Sequence, residues 1–221
     1  MHSSRPFGRV ECLFHGHAGR KSRLAVTRLS YAIGVLLIGL SNANAMSQSE
    51  ISDEERGLLP RWCDFTQGFD RAPDAPGHYA SYVQRFGEGW THLHHFCWAM
   101  VNLQRYQRFD AGPQRKKGLA VAVIGDLDYV LREAPEDFVL LFDVYLRKAK
   151  LLLLEGELEA ARRVSDLMVE KWPERADAHG LAAQVLIDSG RRAEAGRLLD
   201  RSVQQVIDKD RLRQIRSVLK L

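Results

Sequence analysis

Cysteine is scarce in this chain, with three in 221 residues, at positions 12, 63 and 97. No Cys-x-x-Cys or Cys-x-x-Cys-His occurs, so neither a thioredoxin-type dithiol nor a c-type haem attachment is supported. Also missing are the His-Glu-x-x-His pair of zinc proteases, the Gly-x-Ser-x-Gly nucleophile turn, the phosphate-binding loop and a dinucleotide glycine pattern in context. No catalytic set is legible, and the chain reads as a non-enzyme. A charge excess is lacking as well. The chain carries 32 basic and 28 acidic residues, net +4. Residues 1–45 hold six of the bases (Arg5, Arg9, Arg20, Lys21, Arg23, Arg28) and one of the acids (Glu11), leaving 26 against 27. A chain of net −1 after residue 45 gives no electrostatic case for a nucleic-acid partner. With 45% hydrophobic residues, disorder throughout is excluded and one domain with a core is expected.

The N-terminus has its own pattern. Arg23 and Arg28 precede an uncharged run, Leu29 to Leu40, and Ser41-Asn42-Ala43-Asn44-Ala45 follows with an Ala-x-Ala ending. Basic flank, short apolar segment and small-residue site are the parts of a secretory signal peptide. The run falls short of the ~20 residues a membrane span needs. Cleavage after Ala45 is predicted, with a periplasmic or secreted chain starting at Met46; the alternative is an uncleaved anchor, the one route to a membrane. Cys12 would leave with the leader. In an oxidising compartment Cys63 and Cys97 then form a candidate disulfide, the alternative being two buried thiols.

Along the remaining chain, Met46 to Arg56 reads as a polar, flexible lead-in. Leu58 to Pro76 is an irregular cap rich in Pro, Gly and Asp that carries Trp62, Cys63 and Phe65. Helices are predicted over 78–86, 90–109, 114–133 and 210–221, each bounded by Gly or Pro signals or by the chain end. The strongest signal lies in 143–209. Ala149 and Ala183, Leu152 and Leu186, Gly156 and Gly190, and Ala161 and Ala195 are each 34 residues apart. Small residues let two antiparallel helices approach closely, and each glycine permits the turn between them.

On these residues, with Tyr145, Pro173 and Leu199, the chain resembles the tetratricopeptide repeat family over residues 138–209. It departs in having His179 where an aromatic is usual and no closing proline in the second unit. The resemblance implies an all-α fold: antiparallel helical hairpins in a short solenoid, with an irregular N-terminal cap over 46–89. Residues 90–137 would be a degenerate hairpin, 138–209 two repeat-like units, and 210–221 a capping helix. It also implies a concave groove for a protein or peptide partner, at Asp143, Leu146, Lys150, Leu153, Asp177, Gln184, Ile187 and Asp188. Partners of the family include cell-envelope assemblies for secretion, pili, polysaccharide or cytochrome maturation. The function expected is therefore a protein-interaction or scaffold module without catalysis or cofactor.

One stretch stands outside that reading. Trp90 to Trp98 contains His92, His94, His95 and Cys97, residue types that bind zinc, copper or haem iron. On an α-helical wheel His94 and Cys97 share the apolar face with Trp90 and Val101. His92 and His95 fall together on the polar side at a chelating i, i+3 spacing, and a further ligand such as His78 would be needed. The competing reading is a buried His94, a bridged or buried Cys97 and two surface histidines. A metal- or haem-handling protein is accordingly the alternative function.

Overall fold

The computed structural model describes residues 51–69, 78–108 and 110–221. The expected leader, its expected cleavage site and the start of the lead-in lie outside these residues. Among the described residues the chain is helical and contains no strand, and no helix is long and apolar enough to cross a membrane.

The lead-in ends in a helix that was expected to be coil. α1 spans Asp53–Gly57. Ser52 Oγ accepts from the Glu55 backbone N–H (3.1 Å), and the Glu55 carboxylate accepts from the Ser52 N–H (3.0 Å). This capping box satisfies donors that a short helix otherwise leaves open. Glu55 is 5% exposed. Arg105 grips it through Nε (2.7 Å) and a second guanidinium nitrogen (3.0 Å). That fork holds the Glu55 carboxyl at about 2, against desolvation that pulls upward.

A 3-10 helix, Arg61–Phe65, presents Trp62 and Cys63 to the interior. α2 (His78–Phe86) ends at Gly87, whose φ of 68° suits a residue without Cβ. A second 3-10 helix, Gly87–His92, leads into α3 (Leu93–Gln107). The single helix expected from Trp90 is therefore 3-10 for its first three residues. α4 (Pro113–Glu133) starts on a proline, which has no N–H to waste at that position, and stops before Ala134-Pro135. α3 and α4 pack along each other under the aromatic cap. Tyr82 stacks on Trp90 at 4.6 Å between ring centroids, and Trp62 stacks on Phe96 at 6.1 Å. The Sγ atoms of Cys63 and Cys97 stand at disulfide distance, with Cα atoms 5.8 Å apart, tying the cap to α3.

The C-terminal half is built from α5 (Leu141–Leu154), α6 (Leu158–Lys171), α7 (Ala176–Asp188), α8 (Arg192–Ser202) and α9 (Lys209–Leu219). α5 packs on α6, α6 on α7 and α7 on α8. Three-residue links join α5 to α6 and α7 to α8, so each pair runs antiparallel. Positions 34 apart behave alike. Gly156 and Gly190 have φ of 77° and 76°. Glu157 N–H donates to Leu152 O (2.9 Å) and Arg191 N–H to Leu186 O (2.8 Å), the same helix-ending bond in both turns. Ala149, Ala161, Ala183 and Ala195 are fully buried where the paired helices meet. α9 does not continue this order; it packs along α7.

Candidate functional site

α5, α7 and α9 enclose an open groove of about 550 Å³. Six residues expected from sequence line it: Leu146, Lys150, Leu153, Asp177, Gln184 and Asp188. Two do not. Ile187 packs into the C-terminal core with Ala183, Leu199 and Leu212, and Asp143, one turn before Leu146, lies outside the lining.

The rest of the lining comes from residues the sequence did not single out. Leu154 (61% exposed) extends the α5 wall, and Val218 (74% exposed) stands on the α9 wall. α9 is seated through a gap in α7. A Cβ on Gly180 would fall 2.9 Å from Ile215 Cγ2, so the missing side chain is what lets Ile215 in. Arg211 donates to Asp177 Oδ1 through Nε (3.0 Å) and Nη2 (2.8 Å), anchoring the start of α9. At the opposite end, Arg192 donates to the carbonyls of Leu219 and Lys220. Lys150 makes no ion pair among the described residues, while Asp188 accepts from Gln184 at 2.7 Å. The groove thus combines exposed leucine and valine with one unpaired ammonium and a carboxylate held by a neutral amide. It has the chemistry to hold an amphipathic segment and no nucleophile placed beside a base.

The histidine stretch folds differently from its α-helical wheel. A 3-10 turn advances about 120° per residue rather than 100°, and residues 90–92 are in that state. His92 ends that turn while His94 and His95 belong to α3, and all three imidazoles lie beside Tyr129 of α4. Ring centroids stand 3.9 Å from it for His95 and 5.7 Å for His92, and His94 lies 4.3 Å from His95. His95 Nδ1 lies 2.7 Å from Asp126 Oδ1. His94 Nδ1 faces the Thr91 carbonyl at 3.0 Å; a carbonyl only accepts, so that nitrogen donates and Nε2 carries the lone pair. Burial, then the His95 charge, lowers the His94 pKa, while burial raises that of Asp126 against the bond from His95. Cys97 is engaged by Cys63 and offers no thiolate while so paired. No group of three or more His, Cys, Asp or Glu among the described residues is arranged to hold a metal ion; the His78 side chain lies outside them. Asp126 and Tyr129 were missed because their proximity depends on how α4 lies against α3.

No family model matches this chain, and no curated protein or solved structure matches it.

Proposed function

We propose that the chain is an exported interaction module of the tetratricopeptide type, whose groove takes a helical segment of a cell-envelope protein, with no catalysis of its own. The seating of α9 carries this reading. α7 already receives one amphipathic helix by a mechanism that would serve a partner: an apolar side chain enters a glycine gap and an Arg–Asp pair fixes the register. The strip beside α9 offers the same chemistry, with Leu146, Leu153 and Leu154 as apolar contacts and Lys150 and Asp188 as register charges. The matching turns and buried alanines 34 residues apart support the family reading.

The test is affinity capture from envelope extract with the full chain as bait, followed by the double exchange Lys150→Glu, Asp188→Lys. Loss of the captured protein is expected, because both register charges are reversed. Undiminished capture by the exchanged bait would sink the groove reading. N-terminal sequencing of the exported chain tests the leader: Met46 is expected first, and an intact residue 1–45 segment rejects cleavage.

A second reading, metal handling, is favoured by one observation. His94 and His95 sit side by side with both Nδ1 atoms engaged, and each keeps its Nε2 for a further partner. Stoichiometric metal in the purified chain, lost in His94→Ala, His95→Ala, is the result this reading requires.

A further inference from the structure

Away from the groove, the half-buried cation Arg147 makes no ion pair among the described residues. Arg147 of α5 reaches beneath the turn at Leu58–Pro60, where its guanidinium lies 5.5 Å from the centroid of the Phe96 ring. Its Nε is buried and has no hydrogen-bond partner. Burial pulls its pKa down, and Asp143, one turn back on the same helix, favours its charge only through space. The nearby buried carboxylate, Glu55, is already taken by Arg105 and the Ser52 N–H.

A second polar group in the same place is also unmet. Gln104 of α3 donates through Nε2 to the Glu55 carbonyl (3.4 Å), which orients the amide and leaves Oε1 buried without a donor. Arg147 and Gln104 line one cavity of about 320 Å³, walled by Leu59, Met100 and Leu103. Folded proteins leave few buried polar atoms unpaired, because each lost partner costs stability, and a charged group costs more. Here a cation without an ion pair and an unpaired acceptor belong to side chains that line one space large enough for a small ligand.

We propose that this cavity binds a small organic carboxylate with a neighbouring hydroxyl or amide N–H, the carboxylate on Arg147 and the donor group on Gln104 Oε1. The walls select the class. A phosphate dianion would bring a second charge, and among the described residues no second cation lines the cavity; a monoanion with an apolar body satisfies Arg147 and covers Leu59, Met100 and Leu103. Two sources share this chemistry: a free hydroxy acid and the terminal carboxylate of a peptide, whose last amide supplies the N–H. The site is separate from the α5–α7–α9 groove and stands whether or not that groove takes a partner.

The experiment is calorimetric titration of the full oxidised chain with 2-hydroxy-4-methylpentanoate, 4-methylpentanoate, N-acetyl-Gly-Leu and N-acetyl-Gly-Leu amide. Saturable binding of the hydroxy acid or of the free-acid peptide is expected, and which of them binds names the source. The amide, lacking the anion, should bind at least about tenfold more weakly than the free-acid peptide, as should the free acid to Arg147→Met. Gln104→Leu should erase the preference for the hydroxy acid over its deoxy analogue. Arg147→Met should also melt higher than the unliganded parent, since it removes a half-buried cation that has no ion pair among the described residues; a merely structural arginine would give the opposite sign. Arg147→Lys keeps the charge without the fork and should bind more weakly while remaining folded. No saturable binding of any probe to about 10 mM, equal binding of acid and amide, or unchanged binding by Arg147→Met would overturn the proposal.

Discussion

Gly89 is a residue whose side chain is specified by absence. A Cβ there would fall 2.3 Å from the Phe138 ring, and Phe138 is buried in the core with Trp90 and Leu93. A ring hemmed in this way cannot retreat like the tip of a flexible chain. Gly89→Ala should therefore cost about 1–3 kcal/mol, read as a fall in the denaturant midpoint at constant slope. Glu55 makes a pH prediction. Its folded pKa, about 2, lies below the ordinary 4.5. A depressed carboxyl contributes stability that is complete above the unfolded value and lost as pH falls toward the folded one. Between pH 4.5 and 2 the chain should lose at most about 3 kcal/mol through this group. Melting curves of parent and Glu55→Gln across that window check it, since the variant has no such loss to show. Ser52 and Glu55 stand three apart at the start of α1, a capping-box spacing that the reading of 46–56 as a flexible lead-in passed over; the partner that buries Glu55, Arg105, lies 50 residues away, beyond any local signal.

At the scale of elements, the α5–α8 hairpins were legible because everything that shapes them is local. The turn glycines, buried alanines and helix-ending bonds recur at a fixed spacing within a few residues of each other. The third wall of the groove was not, since the seating of α9 depends on Gly180 meeting Ile215 across 35 positions. Gly180→Val would fill that gap and should release α9, seen as faster amide exchange over residues 209–219 with α5–α8 unchanged. The cysteine crosslink is the other long-range element. Its closed loop of 34 residues constrains the unfolded chain, and loops of that size contribute about 3–4 kcal/mol in the chain-entropy view. Cys63→Ser, Cys97→Ser together should lower the melting temperature by several degrees without altering the helical signal in circular dichroism.

Across the described residues, apolar burial is unequal. The α3–α4 region carries Trp90, Phe96, Leu93, Met100 and Leu127 beneath the aromatic cap, whereas the C-terminal cluster leans on alanines and a few leucines and valines. A buried alanine withdraws far less apolar surface than a tryptophan or leucine. Hydrogen exchange should therefore open α9 and α8 first and α3 and α4 last, and an inverted order would contradict this division of the core. The position of the crosslink adds a matter of timing. Both cysteines precede α4 in the chain, so a chain growing from its N-terminus delivers them together, before the hairpins exist. A clasp closed at that stage would join the 3-10 segment to α3 ahead of the hairpins, while the core beneath it waits for Val123, Leu127 and Val130 of α4 and for Val144 and Leu151 of α5.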